Sequence, residues 1–289
     1  MRYQQRDRGT ESHLVAETDG TYYDLTAAKP ELEAFRDLAR AASVADVPID
    51  DLAGDVIDDA PTLDGNSAPD ERGLPAVPEE VWAAGVTYEI SEQARQAESD
   101  TPDMYVDVYD AERPEVFLKA TPSRTVGPGE DVGVRADSHW NVPEPELGVV
   151  LYRGDVIGYT VGNDVSSRDI EGENPLYLPQ AKVYDRCCAI GPCIVSTGDI
   201  PDPHDLTMSM SITRDGEEVY ADETTTAEMV RTCEELAEYY TRHNAVPELA
   251  VLLTGTSIVP DDDFDLAEGD VVSITVEGIG TLTNGVRTV

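Results

Sequence analysis

The chain has 289 residues, with 59 Asp and Glu against 20 Lys and Arg, for a formal net charge of −39. Self-repulsion on that scale destabilises a compact state unless salt screens it, so a cytosol rich in salt is the expected setting. No basic patch exists to neutralise phosphates, which excludes nucleic acid as a partner; no charged-then-apolar leader and no apolar run of about 18 residues is present, so a cytoplasmic protein that does not enter the membrane is expected.

In chain order, the first 50 residues read as a strand-like start followed by a helical pattern over 30–42, on which Glu31 and Glu33 form a solvated face beside Ala34, Phe35, Leu38 and Ala39. Segment 50–74 is crowded with acids, Gly and Pro, and reads as a linker or salt-adapted loop. The expected division is a small N-terminal domain over 1–75, including that linker, and a second domain over 76–289. The second domain is rich in short strands, at 147–151, 156–161, 193–196, 206–212 and 271–276. One helix stands out, with Thr225 and Glu228 as a capping box and Met229, Val230, Cys233, Leu236, Ala237 and Tyr240 as its core stripe. The fold class is therefore mixed, β-rich α+β. The four cysteines, Cys187, Cys188, Cys193 and Cys233, lack metal-ligand spacing and read as reduced, partly buried thiols.

The chemistry concentrates between residues 144 and 182. Glu144 and Glu146 flank Pro145, and in an extended strand side chains at i and i+2 leave one face about 7 Å apart, close enough to grip one ion. Glu-x-Glu recurs at Glu31 and Glu171, but Glu146 runs straight into the apolar stretch 147–151, and carboxylates at the mouth of a buried strand need a partner. Asp164 and Lys182 lie further along. Oxygen ligands without His or Cys call for a hard ion, Mg²⁺ first and Mn²⁺ or Ca²⁺ behind it. The chain has 17 Arg and only three Lys, at 29, 119 and 182. A surface purged of lysine gives Lys119 and Lys182 a functional reading.

The run Glu144-Pro145-Glu146-Leu147-Gly148-Val149-Val150, then Gly158-Tyr159-Thr160-Val161-Gly162-Asn163-Asp164-Val165-Ser166-Ser167-Arg168-Asp169, then Ala181-Lys182, Gly191-Pro192 and Gly278-Ile279-Gly280-Thr281-Leu282-Thr283-Asn284 resembles the fumarylacetoacetate hydrolase family over residues 78–289. The resemblance implies a β-sandwich roll, a divalent metal held by Glu144, Glu146 and Asp164, Lys182 beside it, and a homodimer or homotetramer.

The departures narrow the chemistry. Hydrolase members follow a Gly-x-Asn-Tyr segment with a His-Glu pair that activates water, and this chain has Gly85-Val86-Thr87-Tyr88-Glu89-Ile90-Ser91-Glu92, with no histidine. The segments 114–122, 174–180 and 254–260 resemble instead the archaeal dehydratases of this family that act on 2-keto-3-deoxy-arabinonate or 2-keto-3-deoxy-xylonate. A small 2-oxo sugar acid is then the expected substrate. Its dehydration to 2,5-dioxopentanoate needs a base for the C3 proton, for which Glu115 and Glu89 are the candidates. It also needs a cation at the keto oxygen, for which Lys182 is suited. Lys119, Gln180 and Thr256 are the candidates for the substrate carboxylate and hydroxyls. The alternative is a hydrolase or decarboxylase acting on acylpyruvate-like or oxaloacetate-like acids, and a non-catalytic metal-binding member is a third reading.

Overall fold

The computed structural model describes residues 1–8, 11–63, 73–88, 111–258, 260 and 264–289. The chain opens with three antiparallel strands, β1 (Arg2–Arg8), β2 (Glu11–Thr18) and β3 (Thr21–Asp24), and then three helices, α1 (Leu25–Ala28), α2 (Phe35–Ala45) and α3 (Ile49–Ile57). A short β4 (Thr62–Leu63) returns to β3.

Two sequence expectations change here. The helix expected over 30–42 begins at Phe35, because the Asp37 carboxylate accepts from the N–H of Ala34 and closes the first turn there. Glu31 and Glu33 are exposed before it. The expected linker over 50–74 begins as helix, over residues 50–57: Ala53 and Val56 of α3 are buried, and Ile49, Leu52 and Ile57 share their face. The acids Asp50 and Asp51 sit in its first turn, where the helix dipole favours them. Acid-rich composition masked a helical period; residues 64–72 lie outside the described part of the chain.

The second part supplies β5 (Glu80–Gly85), β6 (Glu115–Ala120), β7 (Thr125–Val126), β8 (Val132–Val134), β9 (Asn141–Val142), β10 (Pro145–Tyr152), β11 (Asp155–Asp164), β12 (Ser166–Ser167) and β13 (Cys188–Ser196), with α4 (Arg168–Glu173) and α5 (Leu178–Lys182) between the last two. It closes with β14 (Thr207–Arg214), β15 (Glu217–Thr225), α6 (Cys233–Thr241), β16 (Leu249–Leu253), β17 (Val271–Val276) and β18 (Gly280–Thr288). The strands expected from the sequence fall within β10, β11, β13, β14 and β17, Leu206 alone preceding its strand. The helix expected from Thr225 begins later. Thr232 caps α6 by accepting from the N–H of Glu235, whereas Met229 forms a bridge with Tyr88 and the N–H of Val230 donates to the Thr87 carbonyl. That pairing holds 229–230 extended.

Two sheets form the body. The larger runs β4-β3-β2-β1-β13-β11-β10-β16-β5-β6, and the smaller runs β15-β14-β17-β18-β8. Leu147, Val149 and Val161 of the larger sheet pack on Met208, Met210, Ile212, Val272, Ile274 and Leu282 of the smaller one, which makes a sandwich. The opposite face of the larger sheet, with Val150, Ile190, Val251 and Leu253, is covered by Leu25, Phe35, Leu38, Ala53 and Val56 of the three N-terminal helices. Strands with both faces covered read as continuous apolar runs, and all eight residues of β10 are buried. The N-terminal strands join the same sheet, with Arg2 opposite Val195 and Tyr3 opposite Ile194, so the segment before residue 75 shares backbone pairing and core with the rest of the chain. All four cysteines are free and buried. Among the described residues no helix is long and apolar enough to cross a membrane.

Candidate active site

The central pair β10 and β11 is antiparallel, with Pro145 opposite Asn163 and Glu146 opposite Gly162. That register brings the start of β10 beside the end of β11. Glu144, Glu146 and Asp164 therefore converge, all buried, with carboxylate oxygens within 4.8 Å of one another. The backbone tightens the corner, since the N–H of Asp164 donates to the Glu144 carbonyl at 2.9 Å.

Three cations surround them. Lys182, at the end of α5, donates from Nζ to Glu144 Oε2 at 2.7 Å, to Asp164 Oδ2 at 3.4 Å and to Ser166 Oγ at 2.6 Å. Arg168 Nη2 lies 3.0 Å from Glu144 Oε1. Lys119 Nζ lies 2.5 Å from Asp164 Oδ1 and donates to the carbonyls of Val165 at 2.8 Å and Lys182 at 2.5 Å. Three carboxylates and three cations leave the buried cluster formally neutral, which is how so many charges share a site taken from water. Burial works against the charge on Lys119, but Asp164 and Cys187 outweigh it and push its pKa up to about 12.

Glu146 differs from its neighbours. It takes the N–H of Gly255 at 2.6 Å on Oε2. Burial first, then Asp164 and Glu144, hold its carboxyl well above the usual range, against the opposing pull of Lys182 and the Gly255 N–H. A divalent cation among the three carboxylates would reverse that balance, and an all-oxygen donor set suits a hard ion. The residues present fit such a metal.

The structure brings together five of the nine residues singled out in the sequence as one cluster, Glu144, Glu146, Asp164, Lys182 and Lys119. An ammonium has three donors, and those of Lys119 are taken by Asp164, Val165 and Lys182, which leaves none for a substrate carboxylate. Its expected substrate contact gives way to a positioning role. Glu115 sits on β6 two residues before Phe117 and leaves the same face; the Phe117 ring centre is 5.7 Å from Lys182 Nζ. Its carboxylate lies against Gly85, where a Cβ would stand 1.9 Å from Glu115 Oε2. Thr256 is buried next to Gly255 and accepts from the N–H of Ile258, whereas Gln180 is exposed on α5, two residues before Lys182. Glu89 lies outside the described residues.

Arg168 and Ser166 were missed in the sequence. Ser166 had a legible signal, since two residues past Asp164 in extended chain it leaves the same face. Arg168 had none, because its approach to Glu144 depends on the turn into α4.

A two-layer β-sandwich with a buried three-carboxylate, three-cation centre defines a class of metal-site protein, and likeness to known proteins places it. Residues 80–287 match the family model described as fumarylacetoacetate (FAA) hydrolase C-terminal, and the chain belongs to the fumarylacetoacetate hydrolase family. It is 63% identical, over the full length of both chains, to a Haloferax volcanii protein named "Probable 2-keto-3-deoxyxylonate dehydratase". It is 46% identical over 218 residues to 2-dehydro-3-deoxy-D-arabinonate dehydratase of Saccharolobus solfataricus, covering 74% of this chain and 73% of that one. The solved structure of 2-keto-3-deoxy-D-arabinonate dehydratase complexed with magnesium and 2,5-dioxopentanoate superposes with a TM-score of 0.84 at 36% identity, covering 100% of this chain and 99% of that one.

Proposed function

We propose that this protein is a Mg²⁺-dependent hydro-lyase that dehydrates a 2-keto-3-deoxy-pentonate, the xylonate or the arabinonate, to 2,5-dioxopentanoate. The observation that carries the reading is the convergence of Glu144, Glu146 and Asp164 around one point, with Lys182 Nζ among them. The dehydratases of Haloferax volcanii and Saccharolobus solfataricus support the substrate class.

Glu144, Glu146 and Asp164 would hold the metal, whose charge, when bound, draws electrons from a chelating 2-oxo acid and acidifies its C3 proton. Lys182 keeps short donations to Glu144 at 2.7 Å and Ser166 at 2.6 Å, and the donor in its long 3.4 Å contact with Asp164 is the one that turns to the negative charge developing on the keto oxygen. Glu115, on the β6 face beside Lys182, takes the C3 proton. The C4 hydroxyl then departs as water with one proton and leaves a C3=C4 double bond; loss of a proton from C5 and gain of one at C3 give the C4=C5 enol, whose tautomerisation completes 2,5-dioxopentanoate. No activated water is needed, in keeping with a Gly85-Val86-Thr87-Tyr88 segment that no histidine follows.

The test is an assay of purified protein with Mg²⁺ in molar KCl on 2-keto-3-deoxy-xylonate, 2-keto-3-deoxy-arabinonate and acetylpyruvate. Formation of 2,5-dioxopentanoate from a pentonate is expected, and cleavage of acetylpyruvate without it would overturn the reading. Glu115→Gln should lower kcat by about 10²-fold or more with Mg²⁺ affinity unchanged. Gly85→Ala should cause a similar loss by driving a methyl group into the Glu115 carboxylate.

A salt-rich cytoplasm and assembly as a homodimer or homotetramer belong to the same proposal. With 59 acids against 20 bases, the melting temperature should rise steadily as KCl goes from about 0.1 M to about 2 M. A melting temperature indifferent to KCl would remove the halophilic reading.

A further inference from the structure

Glu144 and Asp164 face cations, whereas Glu146 accepts from a backbone N–H, that of the peptide between Thr254 and Gly255. The carbonyl at the other end of the same peptide, that of Thr254, accepts from Thr87 Oγ1 at 2.7 Å. A peptide unit is planar, so whatever holds its C=O also aims its N–H. Thr87 is buried just after β5, and its own carbonyl is held by the N–H of Val230 at 2.9 Å. The turn that places it there runs through Val86 at φ +54°, a left-handed backbone that a β-branched residue rarely adopts. On the other side, Gly255 has φ +85°, and a Cβ on it would stand 2.1 Å from Thr87 Oγ1 and 3.0 Å from the Ala84 carbonyl. The Thr87 hydroxyl therefore fills the space beside Gly255 while gripping the far end of its peptide.

We infer that Thr87 is the positioning residue for Glu146: its hydroxyl fixes the Thr254–Gly255 peptide so that the N–H meets Glu146 Oε2 and holds that carboxylate facing Glu144 and Asp164. The inference rests on the reading of Glu146 as a metal ligand, and it assigns a buried hydroxyl outside the carboxylate cluster to metal affinity.

The experiment compares wild type, Thr87→Val and Thr87→Ser by calorimetric titration with Mg²⁺ and Mn²⁺ in molar KCl, alongside melting temperature and kcat at saturating metal. Thr87→Val keeps the shape and removes the donor. It should weaken metal binding about tenfold, the size of one lost hydrogen bond, while kcat at saturating metal stays within about threefold. Thr87→Ser, which keeps the donor, should bind metal within about threefold of wild type. Wild-type affinity in Thr87→Val would overturn the inference, whether or not its melting temperature falls. So would a Thr87→Ser variant as defective as Thr87→Val, since packing rather than the hydroxyl would then matter. If Thr87→Val fails to fold, Gly255→Ala turns the same peptide and must lose metal affinity; retained affinity there overturns the inference equally. A wild-type protein that binds no Mg²⁺ overturns the proposed function along with it, whereas a binding wild type with an unaffected Thr87→Val overturns this inference alone.

Discussion

Lys182→Met is expected to lower kcat by a factor on the order of 10²–10³, the size of effect that accompanies loss of one preorganised donor at a developing negative charge. Lys182 Nζ reaches Glu144, Asp164 and Ser166, and it is nearly wholly excluded from solvent. Its removal takes a shared cation from Glu144 and Asp164 and a partner from Ser166. The metal-free variant should therefore melt lower than wild type, and Mg²⁺ should bind at least as tightly, since a competing positive charge is gone. Lys182→Arg should recover only part of the rate, because a planar guanidinium cannot occupy the point of an ammonium. The deciding measurement is kcat beside a Mg²⁺ titration for wild type and Lys182→Met. A normal kcat with impaired metal binding would make Lys182 a structural partner of the carboxylates and no more.

Glu144→Gln, Glu146→Gln and Asp164→Asn should each abolish Mg²⁺-dependent turnover, since each removes one anionic oxygen from a three-carboxylate site. Their effects on stability should differ in a way the geometry dictates. Asp164→Asn strips Lys119 of its carboxylate inside the core, and leaving one partner of a buried ion pair uncompensated costs about 3–5 kcal/mol. Its melting temperature should fall the most. Glu146→Gln keeps an oxygen for the Gly255 N–H and removes the carboxylate that burial and its neighbours already hold toward the neutral form. The metal-free Glu146→Gln protein should melt at or above the wild-type temperature while losing its metal. Full turnover with unchanged Mg²⁺ affinity in any of the three would exclude the site, and an Asp164→Asn protein as stable as wild type would show that Lys119 does not depend on Asp164.

The features legible in the sequence are those set by short-range interactions. Glu144 and Glu146 are two residues apart, and the period of an extended strand puts them on one face whatever surrounds them. The apolar run from Leu147 to Leu151 announces a strand covered on both sides, as β10 is. Asp164 and Lys182 stand in motifs dense enough to carry the family resemblance. The acidity of 50–57 misled, because charge density says where solvent is and the spacing of Ile49, Leu52, Ala53, Val56 and Ile57 says where helix is.

The rest depended on pairings across long stretches of chain. The β10–β11 register carries Asp164 to Glu144, and β6 brings Lys119 across 45 residues to Asp164. The Thr254–Gly255 peptide reaches Glu146 over 109 residues. A side chain's type states which partners it can take, but a lysine that binds substrate and a lysine that spends all three donors beneath a metal site are the same letter. For Lys119, only the tertiary fold distinguishes them, because its role is set by which acceptors lie within hydrogen-bond reach once the sheet has closed.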